Sequence, residues 1–336
     1  MPHLSVVVPA YNRQDTIENC LAAVRKSIWQ DYELIVVDGG SRDATRSIAR
    51  GYADMVITLR GKKERSHVRD SGFKAAKGEI VVNIDSDIAI KPDTLSRIAD
   101  YFSKHQKIHA LNGLLSKEHP NPDFLSQYKN LYMNYVFNIL PESVTFLYGS
   151  IHALRRQAAQ PYSSDIKIAD DTALGQKLVS LGKKIAFLKD LEVVHLKKYN
   201  LRSFIKNDFR IPFDWAKIFL KYKGWNELGR NKTRFAHSPK EQIISVTLAP
   251  IIFASMIAVF FGYPSFLLSV TLFLVWFFLN RGFLAFLGRE KGFFFATLAI
   301  FVTFADNLIM ALGIFCGFSA FFVKAISRAN GRWGKR

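Results

Sequence analysis

Two aspartates, one residue apart, are the side chains of this sequence best suited to chemistry. Asp85 and Asp87 follow the apolar run 80–84, which is typical of a buried parallel strand. Carboxylates just beyond the carboxyl end of such a strand lie where open α/β sheets bind ligands. Their hard oxygen atoms suit Mg²⁺ or Mn²⁺, and such an ion takes further ligands from water and substrate phosphates. The pair indicates a divalent metal that holds a diphosphate; the alternative is an ordinary strand-to-turn segment.

The first hundred residues, which must position this pair, alternate between strand and helix patterns. Strands are predicted at 4–8, 33–37, 55–58 and 80–84, and helices at 15–27, 43–52, 66–76 and 92–104. This alternation predicts an α/β domain built from βαβ units, with a parallel sheet covered on both faces. Residues 108–194 are predicted to complete the domain, with a helix at 124–138 and a strand at 185–188. The glycine fingerprint of dinucleotide-binding proteins does not follow the first strand.

Four further segments accompany the aspartate pair. They are Pro9-Ala10-Tyr11-Asn12, the stretch 37–45 that begins Val-Asp-Gly-Gly, Arg69-Asp70-Ser71-Gly72, and Ala169-Asp170-Asp171-Thr172. With the pair, and in this order along the chain, they resemble the motifs of the family 2 inverting glycosyltransferases. The resemblance covers about residues 5 to 195 and implies the GT-A fold, a Rossmann-like nucleotide-diphospho-sugar transferase domain.

The resemblance implies a nucleotide pocket where the first two strands end. Asp38 would contact the nucleotide base, and Pro9, Tyr11 and Asn12 would form the rest of the pocket. Two glycines follow Asp38 and allow the backbone to approach a ligand closely. The alternative role for Asp38 is to cap the next helix, a role that Asp43 can fill instead.

The resemblance also implies a diphosphate site with its metal. Asp87 and Asp85 would hold the ion, and the ion would stabilise charge on the leaving phosphate. Asp85 is also assigned to nucleotide binding. Arg69 matches a family arginine near the diphosphate, and a planar guanidinium suits phosphate oxygens. His195 aligns with a histidine of many relatives and is a candidate metal or phosphate contact, or a structural residue. Asp70 replaces the more usual asparagine and is assigned no role.

Asp170 and Asp171 are the candidate catalytic residues. Inversion by a single displacement needs a base on the face opposite the leaving group. The family commonly has Glu-Asp at this position, so the resemblance makes Asp171 the base and Asp170 its helper. Adjacent carboxylates can raise one another's pKa, which favours proton uptake. The alternative is that Asp171 caps a helix at 172–181.

The last third of the chain indicates a membrane region. Apolar runs at 243–261, 263–287 and 293–323 are each long enough to span a bilayer. Asp306 interrupts the third run, which predicts a bend, an internal contact, or a break that makes the run re-entrant. Both three spans and two spans with a re-entrant or interfacial segment fit the sequence. Gly313 and Gly317 have the spacing of a helix-packing face, and a turn is predicted at 262–264.

Basic residues concentrate ahead of the membrane region. The net charge is +18, and residues 183–240 hold fifteen Lys or Arg against five Asp or Glu. This bias predicts attraction to anionic membrane lipids, about 1 kcal/mol per basic residue, on the cytoplasmic side. Because the chain starts directly with a strand and shows no signal peptide, we expect the catalytic domain in the cytoplasm, at an inner or plasma membrane. We expect no nucleic-acid partner, since no recognised module is present.

Residues 201–222 carry aromatic and basic positions at helical spacing, divided by Pro212. Such a pattern is typical of helices lying in the membrane interface; the alternative is a helix packed on the globular domain. The predicted domains are a catalytic domain at 1–200, a basic interfacial segment at 201–240, a transmembrane region at 241–325 and a basic tail at 326–336. The two cysteines form neither a disulfide framework nor a metal site.

These features together predict a membrane-anchored, metal-dependent glycosyltransferase. It would move a sugar from a nucleotide sugar, expected to be UDP-linked, to a hydroxyl of a polyprenyl-linked saccharide or other lipid acceptor. The Gln-x-x-Arg-Trp motif of processive synthases is absent between His195 and the first apolar run. The alternatives are a polyprenyl-phosphate glycosyl synthase, a catalytically silent nucleotide-binding scaffold and a transporter.

Overall fold

The computed structural model of the chain describes residues 2–61, 63–225, 234–262 and 266–333, and of residues 324–333 it describes the backbone alone. The chain divides into two compact units, Met1–Lys198 and Tyr199–Arg336. The first is a mixed α/β unit and the second is mainly helical.

A mixed sheet forms the centre of the first unit. Its strand order is β3-β2-β1-β4-β8-β6-β9-β5, with β7 beside β9. The pairs among β1, β2, β3 and β4 are parallel, as predicted, whereas β8 runs antiparallel to both β4 and β6. The strands are β1 Leu4–Ala10, β2 Tyr32–Asp38, β3 Met55–Thr58, β4 Ile80–Ile84, β5 Ile88–Ala89, β6 Ala110–Leu115, β7 Ser143–Val144, β8 Ile151–Arg155 and β9 Ile185–His195.

Helices accompany the sheet where the sequence predicts them. The predicted helix at 124–138 is confirmed at both ends, and the other four predicted helices in this unit are confirmed with ends that differ from the prediction by at most two residues. Pro92 lies in a turn two residues ahead of its helix, outside the first helical turn. The helices are α1 Ile17–Arg25, α2 Thr45–Arg50, α3 Arg65–Ala75, α4 Thr94–Lys104, α5 Phe124–Asn138 and α6 Asp170–Ser180.

Parallel pairing brings several strand ends to one edge of the sheet. Ala10 at the end of β1 is paired with Asp38 at the end of β2, and β4 lies on the other side of β1. Helix α3 packs closely on this part of the sheet, because a Cβ added at Gly72 would collide with Val7. This close packing against the sheet fixes the first turns of α3, which carry Arg65 and Arg69.

The second unit contains the apolar helices. It begins with α7 Leu201–Lys221, which continues through Pro212 as one helix. A short hairpin, β10 Arg234–Phe235 with β11 Ser238–Pro239, precedes α8 Lys240–Phe260, α9 Phe266–Lys291 and α10 Phe293–Trp333. By length and composition, three described segments could each cross a membrane: α8, α9, and Phe293–Val323 of α10.

Helix α10 differs from the prediction in two ways. It is continuous at Asp306, so of the three predicted alternatives the break is wrong, while the burial of the Asp306 side chain agrees with an internal contact. It also runs past Val323 to Trp333 and so enters the segment predicted as a tail. The predicted packing face at Gly313 and Gly317 is confirmed, since side chains there would collide with backbone oxygens of α7. Of the predicted turn at 262–264, the last two residues lie outside the described residues.

Candidate active site

The predicted nucleotide residues surround the adjoining ends of β1 and β2. Asp38 is completely buried, and its Oδ1 accepts a hydrogen bond from Ser41 N over 3.0 Å. Its Oδ2 is buried without a hydrogen-bond partner among the described residues. A buried carboxylate oxygen in this state is a strong acceptor for an N–H group of a ligand.

The loop after β1 is tied to the loop after β2. Asn12 has the left-handed φ of 50°, a conformation that asparagine adopts more readily than most residues. Its backbone N donates to Ser41 Oγ, and its Oδ1 accepts from Arg42 N, both over 2.9 Å. Pro9 of β1 pairs with Val37 of β2, and Tyr11, in the loop after β1, is half-buried. The four predicted pocket residues thus lie around one strand crevice.

Two arginines one turn apart on α3 form the centre of the second cluster. Arg69 Nη2 donates to Asp85 Oδ1 over 2.9 Å, while Arg65 Nη2 donates to Asp85 Oδ2 over 2.7 Å. Arg69 Nη1 also donates to Asp170 Oδ1 over 2.8 Å. Burial alone would raise the pKa of Asp85, but the two guanidinium groups hold that pKa below its ordinary value. The cluster combines two positive charges with two carboxylates that orient them, Asp170 buried and Asp85 partly buried.

Asp87 points to a different partner from Asp85. Its Oδ1 lies 4.0 Å from Nε2 of His195, the last residue of β9, and its backbone oxygen accepts from Leu196 N over 2.8 Å. Burial lowers the pKa of His195 to about 4, so the imidazole is neutral at physiological pH and can act as a ligand.

A divalent metal fits the Asp87 and His195 pair. Two ligands of one Mg²⁺ ion each lie about 2.1 Å from it, so atoms 4.0 Å apart can share the ion. Among the described residues, no three or more His, Cys, Asp or Glu side chains are arranged to hold a metal. That donor set suits an ion which takes its other ligands from water and phosphates. Both oxygens of Asp85 already accept from arginines, so its metal role stays a prediction.

Asp170 and Asp171 occupy the first turn of α6. The N-cap is Ala169 and no side chain caps it, so the alternative that Asp171 is the cap is wrong. Asp170 is completely buried, whereas Asp171 is half-buried and accepts from Thr172 N over 2.7 Å. Burial, assisted by the charge of Asp170 and opposed by both arginines, raises the pKa of Asp171 to about 6. A carboxylate with such a pKa can accept a proton near neutral pH.

Gly149 brings the base candidate next to the arginines. A Cβ added at this position would lie 2.5 Å from Asp171 Oδ2, 2.9 Å from Arg65 Nη2 and 3.0 Å from Arg69 Nη2. All three groups therefore converge on the space that the missing side chain leaves. The structure thus brings together Asp171, Asp170, Arg69 and Asp85, while the catalytic and binding roles of these residues stay predictions.

Sequence reasoning missed three residues of this cluster. Arg65 carried a usable signal, because it precedes Arg69 by four residues and so lies on the same helix face. Tyr162 lies with its ring 5.6 Å from the Arg69 guanidinium, and its hydroxyl is 3.0 Å from His152 Nε2. Burial lowers the pKa of His152 to about 3, so this histidine is neutral. Neither residue carried a sequence signal, since their contact joins β8 to an irregular loop.

Asp70, to which the sequence assigned no role, has a structural one. Its Oδ1 accepts a hydrogen bond from Tyr162 N over 3.0 Å. This bond fixes the loop that places the Tyr162 ring against Arg69. Asp70 therefore supports the cluster from outside it.

Comparison with known proteins assigns a family to part of the chain. Residues 5–162 match the model described as Glycosyl transferase family 2. The putative glycosyltransferase EpsH of Bacillus subtilis is 36% identical over 96 residues, 27% of this chain and 28% of EpsH. The undecaprenyl-phosphate 4-deoxy-4-formamido-L-arabinose transferase of Pseudomonas fluorescens is 30% identical over 104 residues, 28% of this chain and 31% of that protein. The chain thus spans about a third of the length of these relatives.

A solved structure shows the fold. The mannosyltransferase PcManGT from Pyrobaculum calidifontis, in complex with GDP-Man and Mn²⁺, matches with a TM-score of 0.57 and 17% identity. The match covers 96% of this chain and 87% of that one. At this identity the likeness bears on the fold alone. The chain therefore carries a glycosyltransferase family 2 domain at residues 5–162, and the α/β unit that contains it has the GT-A fold.

Proposed function

We propose that this protein is a membrane-anchored, divalent-metal-dependent inverting glycosyltransferase. It moves a sugar from a nucleotide sugar, UDP-linked by our expectation, to a hydroxyl of a polyprenyl-linked saccharide or other lipid acceptor at the cytoplasmic face. The observation that carries the proposal is the placement of Asp171, whose raised pKa suits a base and which lies beside Arg65 and Arg69. Asp171 can receive the acceptor's proton while the guanidinium groups of Arg65 and Arg69 neutralise the charge of the departing diphosphate.

The donor nucleotide binds where β1 and β2 end. The buried Oδ2 of Asp38 accepts an N–H group of the base, and Pro9, Tyr11 and Asn12 line the same crevice. Arg65 and Arg69 complement the diphosphate with charge and with planar donor groups. Asp85 orients both guanidinium groups through one hydrogen bond to each.

Asp87 and His195 are the residues that hold the metal in this proposal. Their 4.0 Å separation and the neutral imidazole support the assignment, as does the Mn²⁺ named for PcManGT. When bound, the ion supplies positive charge against the developing charge of the leaving phosphate. The two arginines contribute to the same stabilisation from the protein side.

Asp171 acts as the general base. As the acceptor oxygen forms its bond to the anomeric carbon, the carbon–oxygen bond to the β-phosphate breaks on the opposite face. The acceptor's proton passes to Asp171, and the nucleoside diphosphate leaves with the electron pair of the broken bond. Asp170 assists by raising the pKa of its neighbour while it holds Arg69 in place.

The acceptor is proposed to be a lipid because the second unit contains apolar helices preceded by a basic segment. Helices α8 and α9 are long and apolar enough to hold the protein in a bilayer. Basic residues of the preceding segment favour the anionic lipids of the cytoplasmic leaflet. An enzyme anchored in this way meets acceptors that are themselves confined to the membrane.

A polyprenyl-phosphate glycosyl synthase is the second candidate, favoured by the relative named as an undecaprenyl-phosphate transferase. The two candidates differ in the bond they form. Detergent-purified protein would be incubated with Mn²⁺, labelled nucleotide sugars and polyprenyl lipids, and the organic phase then treated with mild acid. Mild acid cleaves the phosphate link to the polyprenyl carrier in both cases, so the size of the released sugar distinguishes them. We expect transfer from one donor, with the label on a released oligosaccharide because it is held by a glycosidic bond to a hydroxyl of the saccharide. A labelled monosaccharide would support the synthase, and no transfer from any donor would contradict both.

A further inference from the structure

We infer that α10 does not cross the bilayer but pairs with α7 along the surface of one leaflet, so that the chain crosses the membrane twice. The surface this pair presents fits the anionic headgroups and upper acyl chains of that leaflet. The inference rests on the membrane anchoring in the proposed function and not on its chemistry. It concerns only the second unit of the chain, Tyr199–Arg336.

Helices α8 and α9 form an antiparallel hairpin, which defines two sides. Asn280 Nδ2 donates to Ser245 Oγ over 3.0 Å, and Ser269 Oγ donates to Ser255 Oγ over 2.9 Å. The beginning of α8 and the end of α9 therefore lie together, and we call this the near side. The far side is where α8 ends at Phe260 and α9 begins.

Both ends of the first part of α10 lie towards the near side. Only Gly292 separates α9 from α10, and a Cβ at Gly288 would lie 3.7 Å from the Cβ of Ala296. Met310 Sδ is 3.8 Å from Nε2 of Gln242, the third residue of α8. Seventeen residues of helix, from 293 to 310, extend about 25 Å, close to the ~30 Å of the hydrocarbon layer. A spanning α10 would carry Met310 to the far side, away from Gln242.

Burial along the hairpin agrees with this path. In the described part of the second unit, buried side chains of α8 and α9 concentrate in their near halves. The far halves expose large apolar side chains, as expected for a hairpin surrounded mainly by lipid, and Phe304 of α10 contacts the far half of α9 at Phe273 and Trp276. The buried residues of the near halves are Ser245, Val246, Ala249, Phe283, Leu284, Phe286 and Leu287, those of the far halves are Ile252, Ser269 and Trp276, and the exposed ones of the far halves include Phe253, Phe260, Leu267 and Leu274.

Helix α7 gives an independent reason. A Cβ at Gly313 would collide with the carbonyl oxygen of Phe209, and one at Gly317 with that of Phe213, so the two backbones are in direct contact. The depth of residues 313–317 is therefore the depth of α7. Helix α7 precedes α8, and none of the candidate spans among the described residues lies before α8. This part of α10 thus lies on the near side with α7.

The charges of α7 set the depth of the pair. Arg202, Lys206 and Arg210 are exposed and recur at every fourth position, so they form one basic stripe. Such groups are unfavourable in hydrocarbon and favourable at an anionic headgroup layer. On α10, Phe301 and Phe315 are more than two-thirds exposed. A basic stripe beside an apolar face is the pattern of helices that lie in the interface plane.

Cysteine labelling in sealed vesicles tests the sidedness. In full-length protein with Cys20→Ser and Cys316→Ser, Glu241→Cys marks the near side and Phe261→Cys the far side. Arg336→Cys reports the end of the chain, and detergent-opened vesicles show that each thiol can react with a membrane-impermeant maleimide. We expect Arg336→Cys to be labelled from the same side as Glu241→Cys. Labelling from the side of Phe261→Cys would overturn the inference.

A depth measurement with different variants provides the second test. Phe301→Cys and Leu312→Cys on α10 are eleven residues apart, as are Leu267→Cys and Phe278→Cys on α9, and all four positions are exposed. Eleven helical residues extend about 16 Å. With spin labels, the α10 pair should differ in depth by less than half as much as the α9 pair; an equal difference would overturn the inference. Release of the protein by alkaline carbonate would contradict the anchoring itself, and with it the proposed function.

Discussion

Arg69 and Asp170 form an ion pair in which neither side chain has any solvent exposure. Arg69 Nη1 lies 2.8 Å from Asp170 Oδ1, and the other end of the same guanidinium reaches Asp85. Two charges are retained in the interior only when they satisfy each other and further partners. This pair links α3 to the first turn of α6, and so links the proposed diphosphate cluster to the proposed base.

Asp170→Asn should destabilise the protein strongly. The change removes a charge partner of Arg69 and leaves the guanidinium buried with Asp85 as its remaining close carboxylate, at a cost of about 3–5 kcal/mol for a broken buried pair. Thermal unfolding of the detergent-purified chain should show a clear fall in Tm. The matched control is Glu192→Gln, whose partner Lys91 is 46% exposed, and its cost should stay below about 1 kcal/mol. Equal shifts for the two variants would contradict the role of the buried pair.

The pH dependence of kcat/KM should report Asp171. The base must be deprotonated to accept a proton, and burial has raised the pKa of Asp171 to about 6. Activity should therefore be constant above that pH and fall about tenfold per pH unit below it. Removing the charge of Asp170 by Asp170→Asn should lower the pKa of Asp171 and move the acid limb to lower pH. An acid limb near the ordinary Asp value in the unmodified protein would contradict this assignment.

Gly149→Ala should slow the reaction and also weaken donor binding, because the new Cβ would lie 2.9 Å from Arg65 Nη2 and 3.0 Å from Arg69 Nη2, the proposed diphosphate contacts. The new Cβ would lie 2.5 Å from Asp171 Oδ2, so the carboxylate must move away from it. A displacement of about 1 Å costs about 10²-fold in rate. Steady-state kinetics should show the loss in kcat. Gly51→Ala is the control, because its Cβ would have a nearest neighbour at 3.4 Å and its backbone is helical. Unchanged kcat in Gly149→Ala would place the base elsewhere.

Asp38→Asn should weaken nucleotide binding by about 10–100-fold. The amide oxygen can keep the hydrogen bond from Ser41 N, so the amide nitrogen then faces the N–H group of the base in place of Oδ2. Titration calorimetry with a nucleoside diphosphate and Mn²⁺ measures this loss without an acceptor. Asp31→Asn, at an exposed carboxylate, should bind as the unmodified protein does. Equal affinity in all three proteins would remove Asp38 from the pocket.

Much of the catalytic unit could be predicted because local patterns carry it. The four parallel strands have apolar runs of the right length, and three of them, β1, β2 and β4, end in the polar residues of a family motif. Strand β8 was not predicted, since its place between β4 and β6 depends on pairing with strands distant in sequence. The same limit hid His152 and Tyr162, which meet only after β8 has been inserted.

The spacing of Asp85 and Asp87 alone could not predict that the two aspartates contact different partners. In the sequence Asp85 and Asp87 are equivalent acidic residues after one strand. In the fold, Asp85 accepts from two arginines of α3 while Asp87 faces His195 at the end of β9. The difference depends on which elements flank β4, and that is a property of the assembled sheet.

The most direct test of the proposed mechanism is the transfer rate of Asp171→Asn. Asparagine is close in size and cannot accept the proton, so single-turnover transfer at pH 8 should fall by about 10²–10⁴-fold. Nucleotide affinity, measured on the same preparation, should be unchanged. A transfer rate within tenfold of that of the unmodified protein would contradict Asp171 as the base and would favour an acceptor that is already ionised.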